Sequence, residues 1–109
     1  MWADYIKEQY GKHTLVREHG FATYFIVPGT SVVYIEDIYV APEARKTGLS
    51  TEMEQEIIAW AKSEGCTEVM GSTNLTSPTP EHTLAVAFKK GYKISSVTSD
   101  MIYVKKQIN

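Results

Sequence analysis

Tyr34-Ile35-Glu36-Asp37-Ile38-Tyr39-Val40-Ala41-Pro42-Glu43-Ala44-Arg45-Lys46-Thr47-Gly48-Leu49-Ser50 is the stretch on which the reading of this chain turns. Its first half continues Ser31-Val32-Val33 and is rich in Val, Ile and Tyr, which predicts a strand over 31–40 that Ala41-Pro42-Glu43 stops. Beyond it, Leu49, Met53, Ile57 and Trp60 fall at i, i+4, i+8 and i+11, the apolar stripe of a helix over 48–64. Glu52, Glu54 and Glu56 lie off that stripe, and Gly65 suits a helix C-cap. The loop between strand and helix carries Arg45, Lys46 and Gly48. The first N–H groups of a helix have no intrahelical partner, and the macrodipole puts partial positive charge there. An anion such as a diphosphate is stabilised at that place, with glycine allowing close approach and the cations adding attraction. By spacing alone, the same residues equally describe a glycine turn with solvated charges.

Outward from this stretch, further elements follow. Thr14–Arg17 and Ala22–Val27 read as a hairpin turning at Glu18-His19-Gly20, and Val27-Pro28-Gly29-Thr30 fits a type II turn. Trp2–Tyr10 has helix-like spacing ended by Gly11. Downstream lie an extended segment over Cys66–Thr73, a loop over Asn74–Pro80, a helix over Glu81–Lys90 stopped by Gly91, and strands over Tyr92–Val97 and Met101–Lys105. The order α-β-β-β-α-β-α-β-β implies a mixed α+β domain, a sheet with helices on both faces and one β-α-β crossover through the 48–64 helix.

At 109 residues, 1–109 reads as a single domain long enough for a core of its own. With 43% apolar and 22% charged residues, the composition is that of a globular chain rather than a disordered one. No apolar run approaches the ~18 residues of a membrane span. A net charge of −2 excludes a strongly basic nucleic-acid surface. The single Cys66 excludes a disulfide framework and a cysteine-based zinc site, and no metal spacing is seen among His13, His19 and His82, which read as turn and surface residues. The N-terminus lacks a signal-peptide pattern, so a cytoplasmic location is expected.

The quoted stretch resembles the GNAT N-acetyltransferase superfamily, in which a strand with an acidic-acidic-apolar-apolar-Val-x-Pro ending is followed by Arg/Gln-x-x-Gly-x-Gly/Ala and a long helix. Phe88-Lys89-Lys90-Gly91-Tyr92 is similar to that family's ending of its last helix. The resemblance covers about residues 31–105 and implies a mostly antiparallel GNAT sheet and acetyl-CoA as co-substrate, with no metal. It also implies roles. Backbone groups of Ile38 and Val40 would pair with the pantetheine arm, and amides of Lys46, Thr47, Gly48, Leu49 and Ser50 would hold the pyrophosphate. Arg45 and Lys46 would reach the phosphates, Asn74 the pantetheine or the acceptor, and Phe88 the acyl arm. Glu36 would be the general base that deprotonates an acceptor amine, with N–H groups near Ile38 polarising the thioester carbonyl. Alternation along a strand then sends Asp37 to the opposite face.

Two positions depart from the family pattern: Ser50 stands for its last glycine, and Ala87 stands where a proton-donating tyrosine is frequent. Tyr92, Tyr103, His82 and Ser72 remain as alternative acids; Cys66 reads as core filling a strand rather than a nucleophile. The family's opening strand and extra helix are absent or reduced to Trp2–Tyr10, which implies an open acceptor side for a homodimer partner or a large amine-bearing substrate, small molecule or protein. Acetyl transfer to a primary amine in a ternary complex is the function so implied. The alternatives are a shortened, non-catalytic domain binding acyl-CoA or a protein partner, and an interaction domain that does not bind CoA.

Overall fold

Short β-branched and aromatic runs separated by glycine and proline turns set the framework of the computed structural model, which describes residues 11–109. The helix expected over 2–10 lies outside the described residues. The elements are β1 (His13–Arg17), β2 (Gly20–Ile26), β3 (Val32–Val40), a 3-10 turn (Pro42–Ala44), α1 (Leu49–Ser63), β4 (Glu68–Asn74), α2 (Pro80–Lys89), β5 (Lys93–Val97) and β6 (Met101–Gln107). They form a six-stranded sheet in the order β1-β2-β3-β4-β6-β5, in which only β3 and β4 run parallel. The β3-α1-β4 unit is the crossover expected from the sequence. Between β2 and β3, Gly29 adopts φ +76° and Thr30 N donates to Val27 O at 3.1 Å, as a type II turn requires.

The apolar stripe of α1 decides where the core sits. Met53, Ile57 and Ala61 are fully buried against Ala22, Val33, Ile35 and Val69 of the sheet. Each large side chain so buried contributes about 1.5–3 kcal/mol. Leu84 and Ala87 of α2 pack on the same cluster, so both described helices cover one face of the sheet. Cys66 is buried in the turn before β4 rather than within a strand, its N–H donating to Ala61 O at 2.9 Å. His13 also departs from its surface reading, stacking on Tyr24 in a cluster with Trp60.

Glu54 is the other exception. It was expected on the solvent side of α1, yet it is 8% exposed. Tyr92 OH donates to its Oε2 at 2.5 Å and Lys90 Nζ to its Oε1 at 3.0 Å, so both carboxylate oxygens are satisfied where burial would otherwise be costly. This contact ties α1 to the corner between α2 and β5. Burial, then the hydrogen bond and charge of Glu54, push the Tyr92 phenol well above its ordinary value.

Two consequences are measurable. A Cβ on Gly20 would meet Tyr39 O at 2.5 Å, so Gly20→Ala is expected to cost about 1–3 kcal/mol in urea unfolding. A phenol held protonated by the fold stabilises the native state fully below the unfolded tyrosine value of about 10, and that contribution declines as pH rises above it. Stability is therefore expected to fall above about pH 10, and Tyr92→Phe to flatten part of the slope. The remainder belongs to Tyr24, which burial and then Glu56 push up, and to the Cys66 thiol, which burial and then Glu64 push up. An unchanged alkaline slope in Tyr92→Phe would contradict this assignment.

Candidate active site

The site begins where β3 stops pairing with β4. The parallel ladder holds only Val32↔Glu68, Val33↔Val69 and Tyr34↔Met70, whereas β3 stays paired with β2 as far as Val40 and β4 with β6 as far as Asn74. Beyond Tyr34 the facing edges of β3 and β4 are unbonded. The register explains the parting: Tyr24 pairs with Ile35 and Thr23 with Asp37, leaving Glu36 as the extra residue of a bulge. A bulge bends its strand and raises its twist.

The same register aims specific backbone groups into the opening. Ala41 N donates to His19 O at 2.7 Å, which makes Gly20↔Val40 a widely spaced pair. By alternation Phe21↔Tyr39 exchanges the ladder bonds and Ala22↔Ile38 is wide again. The N–H and C=O groups of Ile38 and Val40 therefore point away from β2, toward the gap. Val40 O accepts from Arg45 Nε at 3.2 Å, so the Arg45 side chain folds back onto the strand end.

At the far side of the gap, α1 begins. Lys46 and Gly48 both take left-handed conformations, φ +66° and +89°, and Gly48 is the N-cap. No side chain caps this helix, and its first internal bond runs from Glu52 N to Gly48 O at 3.0 Å. The amides of Leu49, Ser50 and Thr51 thus remain without a protein acceptor among the described residues. Thr47 Oγ1 donates to Ala44 O at 2.5 Å, bracing the loop. Lys46 is exposed.

A cleft of about 330 Å³ reaches from Ile38 on β3 to Ser50 in the first turn of α1. Ser50 and Glu54 of α1 form one wall, Thr83, Val86, Ala87 and Lys90 of the α2 segment the other, and residues 35–38 of β3 the floor. The α2 residues follow i, i+3, i+4, i+7 spacing, one helical face. Phe88 lies off that face, is 47% exposed and does not line the cleft, which corrects its expected place; Ala87 occupies it. Asn74 ends β4, exposed and also outside the cleft, its Oδ1 accepting from Thr76 N and Oγ1.

On the sheet face away from the helices, Glu36 accepts from Lys12 Nζ at 2.8 and 2.9 Å, with Thr23 Oγ1 at 3.4 Å. Asp37 pairs with Thr23 across the ladder and so shares that face, contrary to simple alternation, because the bulge inserts one residue between them. Tyr34, Phe25 and Tyr103 are neighbours there, and Tyr34 OH shares a 2.7 Å hydrogen bond with Ser72 Oγ. Aromatic faces beside carboxylates suit a cationic guest. Burial, then Glu64, push the Cys66 thiol up, which disfavours the thiolate a nucleophile needs.

The residues that sequence reasoning missed are Glu54 and Lys90, which meet Tyr92, one of the alternative acids, at the cleft. Their only signal was a carboxylate one position from buried Met53, with a lysine and a tyrosine flanking Gly91.

Known proteins share this fold. The family described as the Acetyltransferase (GNAT) family matches residues 3–92. A relative named aminoglycoside N(6')-acetyltransferase type 1, from Acinetobacter baumannii, is 32% identical over 90 residues, 78% of this chain and 56% of that protein. The chain spans about a third to just over half the length of the curated relatives it matches. Among solved structures, a GNAT-family protein from Desulfovibrio desulfuricans superposes with TM-score 0.80 at 17% identity, covering 97% of this chain and 78% of that one. A GNAT-family acetyltransferase from Elizabethkingia anophelis with acetyl-CoA bound gives 0.72 at 16% identity, covering 94% and 82%. At those identities the structures speak for the fold, and the family match over most of the sequence carries the assignment. The chain belongs to the GNAT acetyltransferase family.

Proposed function

We propose that this protein transfers an acetyl group from acetyl-CoA to a primary amine by direct attack within a ternary complex. The observation that carries the proposal is that Ser50, in the uncapped first turn of α1, and Ile38, whose backbone groups face away from β2, border one cleft, with Val40 and the 46–49 loop next to them along the chain. The diphosphate of the co-substrate is held by the Lys46–Ser50 amides and by Lys46. Its pantetheine amides bond to Ile38 and Val40 in the manner of an added strand. The Ile38 N–H polarises the thioester carbonyl.

An amine with pKa near 10.4 costs about 4.6 kcal/mol to deprotonate at pH 7, so a base close to the carbonyl is valuable. Glu36 fills that role from the bulge, with the acceptor approaching over the aromatic face. Amine-bearing small molecules are the acceptors that the relative's name suggests, and Glu36 and Asp37 favour a polycationic one. A non-catalytic acyl-CoA-binding domain is the second reading; the Lys12–Glu36 ion pair favours it, since that pair occupies the base.

Release of free thiol from acetyl-CoA, followed with a panel of aminoglycosides and simple amines, separates the two readings. Turnover is expected with at least one cationic amine, and Glu36→Gln is expected to lower kcat by about 10²–10⁴-fold with little change in affinity for CoA. Turnover unchanged in Glu36→Gln would remove Glu36 as base. Acetyl-CoA at 100 times its Kd is expected to stabilise the fold by about 2.7 kcal/mol, and no stabilisation would contradict both readings.

A further inference from the structure

We infer that Lys90 stabilises the thiolate expelled from the acyl thioester, and that Glu54 and Tyr92 are positioning residues that hold its ammonium group at the cleft; the inference rests on the acetyl-CoA reading of that cleft. Among the described residues, Lys90 is the one cation that lines it. Its Nζ gives one hydrogen to Glu54 Oε1, and an ammonium has three, so two remain for a ligand. Side chains at the end of a helix lean back toward its N-terminus, which carries this long chain over the turn of Ala87 and Val86. Ala87 itself has nothing to donate.

The other candidate donors are committed elsewhere. Tyr92 already gives its hydrogen to Glu54, and its phenol is pushed up, so it holds its proton. Ser72 shares a hydrogen bond with Tyr34 in which either oxygen can donate, and Tyr103 and His82 lie outside the cleft lining. A thiolate is a weaker base than an amine, so an ammonium group meets the leaving sulfur as a charge partner. Lys90 therefore pairs with the leaving sulfur rather than protonating it. The amine nitrogen bonds to the acyl carbon and its surplus proton passes to Glu36. The C–S bond breaks with its electron pair going to sulfur. The thiolate leaves against Lys90 and takes a proton from water, to which Glu36 returns its own.

The charged groups around Lys90 allow this. Glu54 faces it from α1 with both oxygens bonded. Lys106 of β6 stands over the Tyr92 ring at 4.8 Å. The carboxylates of Glu36 and Asp37 lie on the Thr23 side of β3.

Titrating the thiolate absorbance of CoA bound to the protein tests the assignment without any acceptor. The bound thiol is expected to ionise at least about one unit below its free value of 8.5, a tenfold gain in thiolate. Lys90→Arg should keep the shift. Lys90→Met should lose it and lower kcat by about 10–100-fold while still binding CoA. Glu54→Gln combined with Lys90→Met, which leaves no buried charge unpaired, reports the same loss if the single variant does not fold. A bound thiol at or above its free value in the native protein, or a shift that survives in either Lys90→Met protein, overturns the role of Lys90. If CoA fails to bind the native protein, the acetyl-CoA reading falls and this inference falls with it.

Discussion

Backbone hydrogen bonds that a sheet makes on one side of a strand and withholds on the other organise this molecule. β3 is fully engaged with β2 to Val40 but leaves β4 after Tyr34↔Met70. An unpaired backbone group costs about 1–3 kcal/mol when it is buried dry, so such an edge persists only if water or a guest satisfies it. The bulge at Glu36 creates the opening, and the helices leave it uncovered on the side where α1 starts. A guest with its own amides and a terminal anion fits both halves of that surface, because the strand edge offers donors and acceptors in alternation and the helix start offers donors only.

The opening also divides the labour between two faces of the sheet. On the helix face lie the uncapped amides and the cluster of buried Glu54 and Tyr92 with half-buried Lys90, and the cleft runs from them to residues 35–38 of β3. On the other lie the acidic pair and the rings of Phe25, Tyr34 and Tyr103. In the proposed reaction a thioester threaded from one face presents its carbonyl to an amine on the other, with the leaving sulfur on the side that holds the cation.

Much of this was legible in the residues. The β3-loop-α1 junction, the type II turn at Val27–Thr30 and the buried stripe of Met53 and Ile57 all follow from local pattern, where neighbours in sequence are the neighbours in space. What escaped was non-local. A bulge is a mismatch between two strands, and nothing within Glu36-Asp37-Ile38 reveals that β2 runs one residue short of it. Glu54 reads as a solvent-facing carboxylate until Lys90 and Tyr92 arrive 36 and 38 residues later to satisfy it. Ala87 rather than Phe88 lines the cleft because α2 turns the face of Thr83, Val86 and Ala87 toward it, an orientation set by packing on the sheet rather than by local pattern.

The central claim is that the parted strands and the uncapped start of α1 form one binding surface. The most direct test follows backbone amide resonances during titration with CoA and, separately, with pantetheine, which lacks the diphosphate. The account predicts that CoA moves the amides of Ile38 and Val40 together with those of Lys46 to Thr51, whereas pantetheine moves the first pair alone. Saturation by CoA with the 46–51 amides unmoved would contradict it.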